Sequence, residues 1–314
     1  MKSSEPQSSF SIRQYGLIIA LVVIYAVLAF ARPHFMSMNY MLTLLRQISI
    51  NGILAVGVTY VLLTGGVDLS IGSLVALSGV MAAHFAHPGE YWLIASIFMG
   101  IITGMACGTV NGWVVTKGKV APFIATLGMM TAARGIAFIA SGGRPVSRLS
   151  TGFTHIGSGG FLGIPIPVWI LAVVALVSWV FLNRTRLGRY VYATGGNERA
   201  ALASGINVHR IKIMAYVICG ALAGLAGVVQ AARSTTGQPN TGMMYELDAI
   251  AAAVIGGTSL AGGVGGVGGT ILGALLMGLI GSGLDLLNVS SYYQMVVKGM
   301  IIVGAVWLDN RGKC

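Results

Sequence analysis

Residues 92–116 read WLIASIFMGIITGMACGTVNGWVVT and contain no charged side chain. About 20 apolar residues cross the hydrocarbon core of a bilayer as an α-helix, because a helix satisfies its backbone polar groups internally. Nine further apolar runs lie at roughly 15–31, 47–64, 69–86, 120–140, 166–183, 209–232, 247–257, 268–287 and 292–308, of which 247–257 is short. The pattern predicts an all-α polytopic membrane bundle of about ten transmembrane helices.

The composition supports this class of protein. Of 314 residues, 55% are hydrophobic and only 9% are charged, and the mean hydropathy is +0.83. The 46 glycines suit membrane helices, which associate through small residues that let backbones approach. Cys107, Cys219 and Cys314 share no close spacing, so we expect neither a disulfide nor a metal site. Residues 1–314 are predicted to form a single transmembrane domain.

The basic residues lie at the ends of the apolar runs. This placement is unlike the aromatic-laced basic face of a nucleic-acid-binding protein, so the net charge of +11 predicts topology and no nucleic-acid partner. With the N-terminus inside, twelve of the 19 Lys and Arg are cytoplasmic, namely Lys2, Arg13, Lys117, Lys119, Arg184, Arg186, Arg189, Arg199, Arg210, Lys212, Arg311 and Lys313. The positive-inside rule then predicts cytoplasmic tails at 1–14 and 309–314. Run 15–31 is expected to stay as a span rather than to be cleaved as a signal peptide.

Residues 183–212, NRTRLGRYVYATGGNERAALASGINVHRIK, hold six of the 19 Lys and Arg. Thr194 to Asn197 read as a turn, followed by a helix of about two turns with Asn197 as its N-cap and Gly205 as its C-cap. So short a helix is unstable alone, so we expect it to pack on the transporter or in a groove of a soluble partner. The alternative interpretation is a basic loop that only orients the neighbouring spans.

Residues 65–72 and 256–263 share the pattern GGxxLxxG between apolar runs. They predict an internal duplication with interrupted helices on a substrate path, since a broken helix leaves backbone groups available to solute. The alternative interpretation is a pair of helix-ending glycine turns at the membrane surface. The predicted pathway residues are Gly65, Gly66, Asp68, Ser70, Gly256, Gly257 and Ser259.

Enzymatic motifs are missing from the sequence. Neither G-x-S-x-G nor H-E-x-x-H occurs, and the G-x-G-x-x-G at 263–268, with Asp285 following, is flanked by apolar helices rather than by a βαβ unit. His84 and His87 lie one helical turn apart, without the further ligands of a metal site. No Walker A sequence is present. We therefore expect no catalytic residue, metal or cofactor in this chain, and any nucleotide energy must come from another subunit.

Acidic residues bear on ion-coupled transport, which usually needs a carboxylate at mid-membrane. Asp68, Glu246, Asp248 and Asp285 all map near predicted span ends, where water can reach them, so none is predicted to couple an ion gradient. An ion-coupled secondary sugar carrier is the alternative function. Two basic residues, Arg134 and Lys298, fall within spans, and Lys298 is compatible with both snorkelling to the outer interface and lining a cavity.

Several blocks carry a family resemblance: LTGGVDLSIGSLVALSG at 63–79, APFIATLGMM at 121–130, TRLGRYVYATGGNERAALASGINVHRIKI at 185–213, YELDAIAAAVIGGTSLAGG at 245–263 and VSSYYQMVVKG at 289–299. In this order they resemble the membrane permease subunits of bacterial ABC monosaccharide importers, most closely those for ribose.

The resemblance implies a multi-pass inner-membrane subunit that hydrolyses nothing itself. Its implied partners are a second permease copy in a homodimer, a cytoplasmic ABC ATPase subunit that uses ATP and Mg, a periplasmic sugar-binding protein, the monosaccharide and membrane lipid. The loop 184–208 is implied to couple the permease to the ATPase through a coupling helix. The implied contact residues are Asn197, Glu198, Arg199, Ala201, Leu202, Ser204 and Gly205.

Overall fold

A computed structural model describes residues 12–90 and 92–311. In this part of the chain there are thirteen α-helices, a 3-10 helix at Pro33–Met36 and a hairpin of β1 (Gly160–Phe161) and β2 (Ile164–Pro165). The helices are α1 (Ile12–Ala31), α2 (Met38–Leu63), α3 (Ile71–His84), α4 (Leu93–Thr116), α5 (Pro122–Ser141), α6 (Thr151–Ser158), α7 (Ile166–Arg184), α8 (Arg186–Gly196), α9 (Glu198–Ala203), α10 (Val208–Ser234), α11 (Tyr245–Ile255), α12 (Val267–Leu286) and α13 (Ser291–Arg311). The predictions made for Lys2, Lys313 and Cys314 concern residues outside the described part of the chain.

Each of the ten predicted spans contains a helix, which confirms a helical, multi-span protein. Six of the described helices are long and apolar enough to cross a membrane, namely α2, α4, α5, α7, α10 and α12. By contrast, α3 has 14 residues and α11 has 11, which correspond to about 21 Å and 17 Å of helix. The count of about ten transmembrane helices therefore stays a prediction.

The most extensive helix–helix contact in the bundle is that between α4 and α10, and glycine sets its spacing. A Cβ atom on Gly104 would collide with the backbone of Gly220 and Gly224, and one on Gly108 would collide with the backbone of Tyr216. Two helix backbones approach this closely only where side chains are missing. The prediction that glycine serves helix association is confirmed at this interface.

Helices α2 and α3 pack against α10, while α11 and α12 pack against each other and against α2. These four helices are largely buried, whereas α7 lies at the periphery. The outer face of α7 exposes Val173, Leu176, Val177 and Val180. Such an aliphatic face is suited to contact with lipid.

The two ends of the bundle differ. At one end, here called the α9 end, the last residue of α2 meets the loop before α12, because the Gly263 amide donates to the Leu63 carbonyl at 3.0 Å. At the other, the α6 end, the amide of Ser150 donates to the Ala86 carbonyl at 2.7 Å, and α6 packs on the last turns of α10. The sequence did not predict α6 or the hairpin within residues 142–165.

Candidate functional site

Helix α8 lies in the first half of the basic loop 184–208 and is positioned by its contacts at the α9 end. It begins where the Thr185 hydroxyl accepts a hydrogen bond from the Gly188 amide at 3.0 Å. It continues through Thr194 to Gly196, so the predicted turn there is wrong. Glycine is a poor helix former, but Gly195 lies where any Cβ would collide with the Leu63 carbonyl, so tertiary packing overrides propensity.

Helix α9 confirms the predicted short capped helix. The Asn197 side-chain oxygen accepts a hydrogen bond from the Ala200 amide at 3.0 Å, which is an N-cap. At the other end Gly205 has φ 80°, and the amides of Gly205 and Ile206 donate to the carbonyls of Leu202 and Ala201, both at 3.0 Å. This is a Schellman ending, which needs the left-handed conformation that glycine adopts readily.

Most of the predicted coupling residues are exposed on α9 and at its ends, namely Asn197, Glu198, Arg199, Leu202, Ser204 and Gly205. Glu198 also forms an ion pair with Lys212 of α10 at 2.7 Å, which ties α9 to a long helix. Ala201 is the exception because it is buried at 4% exposure. A contact between Ala201 and a partner stays a prediction, and in this structure its methyl group packs inside the chain.

The end of α8 contacts the second glycine segment and Leu63, which closely precedes the first segment. A Cβ on Gly195 would also lie 2.6 Å from the Gly263 amide nitrogen, and a Cβ on Gly262 would lie 2.9 Å from both the Gly195 carbonyl oxygen and the Gly65 amide nitrogen. The Tyr192 hydroxyl donates to the Gly265 carbonyl at 3.0 Å, and burial raises the pKa of Tyr192, which keeps this donor protonated. The end of α8 is therefore in direct contact with the loop after α11 and with the last residue of α2.

Both GGxxLxxG segments end helices in the same way. Gly65 has φ 77° and Gly257 has φ 98°. The following amides, of Gly66 and Thr258, donate to Val61 and Ala253 at 3.1 and 2.9 Å, which completes a Schellman ending in each case. The interpretation as helix-ending turns is therefore confirmed for the glycines, while a true internal duplication stays a prediction.

After its turn, the first segment runs back into the bundle. The Val67 carbonyl accepts from the Tyr216 hydroxyl at 3.2 Å, and Tyr216 lies about 12 Å along α10 from the start of that helix. The Ser70 amide and hydroxyl donate to Asp68 Oδ1 at 2.9 and 2.6 Å, and Asn111 Nδ2 donates to Ser70 Oγ at 3.0 Å. This network holds the start of α3 inside the protein.

Asp68 has 0% exposure, so the prediction that water reaches it is wrong. The sequence places Asp68 next to an apolar run, but the inward path of residues 66–70 depends on distant contacts from α4 and α10. Asn111 and Tyr216, which support that path, were missed because each resembles an ordinary span residue.

The predicted pathway residues are mostly enclosed by the chain itself. Gly65 is exposed and Gly257 is half-buried, while the other five are buried, namely Gly66, Asp68, Ser70, Gly256 and Ser259. They lie along the two interrupted segments as predicted. Their role in a pathway stays a prediction, and in this conformation the buried five face protein.

Two ionisable residues on α11 and α13 form a second buried feature. Lys298 Nζ donates to Asp248 Oδ2 at 2.7 Å, and Asp248 is 6% exposed. The expectation that water reaches Asp248 is wrong, because α11 starts well inside the bundle. Lys298 binds this carboxylate instead of extending to the outer interface. The pair joins α13 to α11 and neutralises two charges in the membrane.

Replacing Asp248 by alanine is expected to lower the free energy of unfolding by about 3 kcal/mol, because the Lys298 charge loses its partner. The exchange Asp248→Lys with Lys298→Asp restores the pair and is expected to recover at least about half of that loss. Thermal unfolding in detergent measures both variants. An exchange variant no more stable than the single variant would show that pairing is not what matters.

His84 and His87, the other polar pair noted in the sequence, bind backbone carbonyls. The His84 ring lies 2.9 Å from the Ala140 carbonyl, and the His87 ring lies 3.3 Å from the Arg148 carbonyl. His84 fastens the end of α3 to the last turn of α5, and His87 fastens the loop after α3 to the chain that follows α5. These contacts give the two rings a structural role at the α6 end.

Comparison with known proteins identifies similar permeases. The family model described as branched-chain amino acid transport system / permease component matches residues 40–306. The ribose import permease protein of Escherichia coli (strain K12) is 49% identical over 301 residues, covering 94% of this chain and 92% of that protein. The ribose import permease protein of Bacillus subtilis (strain 168) is 46% identical, with coverage of 95% and 93%. The D-allose transport system permease protein of Escherichia coli (strain K12) is 38% identical, with coverage of 95% and 91%. No solved structure matches the chain.

Proposed function

The chain belongs to the family of branched-chain amino acid transport permease components, and on this basis we propose that it is the membrane subunit of an ABC importer for ribose. The observation that carries the proposal is near full-length similarity, at 46–49% identity, to ribose import permeases of distantly related bacteria. Identity to the allose permease is lower, at 38%. The chain is therefore a transport subunit of the inner membrane and not an enzyme.

ATP hydrolysis is assigned to a separate cytoplasmic ATPase subunit, which would bind ATP and Mg. Helix α9 is the proposed docking element, because it is capped at both ends and exposes an apolar side chain, Leu202, at 50%. The contacts of α8 with the loops after α2 and α11 would carry the movement inward. This assignment places the α9 end in the cytoplasm, and the positive-inside rule predicts the same side for both termini.

The α6 end would then face the periplasm and receive a sugar-binding protein. A second permease copy is proposed to complete the pathway. Its proposed contact is the outer face of α5, where Gly128, Thr131 and Gly135 are exposed and a Cβ on either glycine would meet nothing within 4 Å. Small residues at such spacing favour close helix packing between copies in a membrane.

Replacing Leu202 by aspartate is expected to weaken ATPase binding about tenfold or more, because a charge would enter an apolar contact. Leu162→Asp is the matched control, since Leu162 is also exposed but lies in the hairpin at the α6 end. Copurification of the ATPase with each variant measures binding. Equal ATPase recovery with Leu202→Asp and Leu162→Asp would contradict docking through α9.

The sugar assignment is tested by uptake of labelled ribose in cells that lack their own ribose permease and produce this chain with its ATPase and binding protein. We expect uptake that excess unlabelled ribose suppresses and excess allose suppresses less. Uptake of allose in preference to ribose would overturn the assignment.

One observation favours the ion-coupled carrier as a second candidate. Asp68 is a fully buried carboxyl group whose Oδ1 accepts hydrogen bonds from the amide and the hydroxyl of Ser70. A buried intramembrane acid is the feature such carriers use. The two candidates differ in their energy source, so the requirement for ATP separates them.

A further inference from the structure

Arg134 on α5 and Glu246 on α11 lie about halfway along the bundle. Arg134 is twelve residues from the start of α5, about 18 Å from the α9 end, and Glu246 is nine residues before Ile255, about 14 Å from that end. The hydrocarbon core of a bilayer is about 30 Å thick. Both side chains therefore lie near the middle of the membrane, where ionisable residues are costly and usually functional.

The position of Glu246 depends on a non-helical segment. Residues 235–244 enter the bundle from the α6 end, and Arg134 Nη1 donates to the carbonyls of Pro239 and Thr241 at 2.7 and 2.6 Å. Next to these carbonyls, Gly72 of α3 packs against Gly242 and against the Glu246 carboxylate so closely that a Cβ would collide with both. Three elements thus fix this carboxylate in place.

The charged groups of Arg134 and Glu246 lie farther apart than those of Asp248 and Lys298. In residues 12–90 and 92–311, the two ion pairs shorter than 4 Å are Glu198 with Lys212 and Asp248 with Lys298. Arg134 and Glu246 attract each other but stand farther apart than that, and both are only partly buried. Each of the two side chains therefore keeps part of its surface accessible to a small polar molecule.

The chemistry of the two groups matches a polyol. A guanidinium only donates hydrogen bonds and a carboxylate only accepts them, whereas a sugar hydroxyl does both. Neighbouring hydroxyls of a monosaccharide can bind the two groups together, and hydrogen bonds to charged groups are the stronger ones. A built site of this kind near the midplane, beside broken backbone, is where transported solutes bind in many carriers.

We propose that Arg134 and Glu246 form a transient binding subsite for hydroxyl groups of the monosaccharide during import. The subsite rests on the proposed import function and adds to it the residues that contact the sugar inside the membrane. Arg134 also positions the segment 235–244, while Glu246 supplies the hydrogen-bond acceptor.

The test compares wild type with Glu246→Gln in vesicles that contain the ATPase, the loaded binding protein and ATP. Ribose and its singly deoxygenated analogues are the probes. We expect ribose uptake to fall about tenfold in Glu246→Gln, because one charge-assisted hydrogen bond is weakened. One analogue lacks the hydroxyl that Glu246 contacts, so the variant has no further hydrogen bond to lose with it. For this analogue, uptake by wild type and by Glu246→Gln is expected to agree within about twofold.

Asp285→Asn is the matched control, since Asp285 is an exposed carboxylate that binds Gln294 at the far end of α12, and it should transport all probes like wild type. Glu246→Asp keeps the test available if the amide variant folds poorly. An equal loss for every analogue, or no loss for any, would overturn the subsite and leave the import function standing. Wild-type vesicles that import no ribose would instead overturn the import function.

Discussion

Gly195→Ala is expected to reduce ATP-driven ribose uptake by at least tenfold, while Gly196→Ala leaves uptake close to that of wild type. The added methyl group on Gly195 would collide with the backbone of Leu63 and Gly263, whereas one on Gly196 would meet nothing within 4 Å. Backbone cannot move aside as a flexible side chain can, so overpacking here costs about 1–3 kcal/mol or displaces α8. Displacement of α8 would separate the docking helix from both glycine segments.

The two adjacent glycines make a matched pair, because both end the same helix and undergo the same chemical change. Uptake and ATPase activity are measured on the assembled transporter in vesicles. We expect Gly195→Ala to retain ATP hydrolysis that no longer drives uptake. Equal uptake by the two variants would show that the contact of α8 with the glycine segments does not transmit movement.

Gly104→Ala is expected to lower the free energy of unfolding by about 3 kcal/mol, because its methyl group would occupy the backbone of Gly220 in the α4–α10 interface. Gly281→Ala on α12 is the control, since a Cβ there meets nothing within 4 Å. Alanine has the higher helix propensity, so this control is expected to raise stability by up to about 1 kcal/mol.

The two substitutions are chemically identical and are predicted to have opposite signs. Thermal unfolding in the same detergent measures both proteins. Similar destabilisation by both variants would mean that the loss at Gly104 reflects a general intolerance of alanine for glycine and not the close approach of two helices.

Local signals in the sequence predicted local structure well. Apolar runs located ten of the thirteen described helices, and Asn197 and Gly205 located the ends of α9. Both signals are local, because hydrophobic length and capping depend on neighbouring residues. The same signals failed at α8. Its last turn contains Gly195 and Gly196, which read as a loop until the contacts with Leu63 and Gly263 are known.

The interior of the candidate site depended on distant contacts. Asp68 and Asp248 were placed near water because each stands at the edge of an apolar run, whereas the structure buries both. Their burial follows from the inward path of residues 66–70 and from the late start of α11, which Asn111, Tyr216 and Arg134 support from other helices. A linear pattern does not contain these long-range hydrogen bonds.

The proposed function requires that the energy for transport enters through the ATPase and not through an ion gradient. The direct measurement is ribose uptake into vesicles that contain this chain, its ATPase and its binding protein, with ATP or with an ion gradient as the energy source. We predict uptake with ATP that stops when the ATPase or the binding protein is omitted, and no uptake with a gradient alone. Gradient-driven uptake by this chain without either partner would contradict the account and identify an ion-coupled carrier.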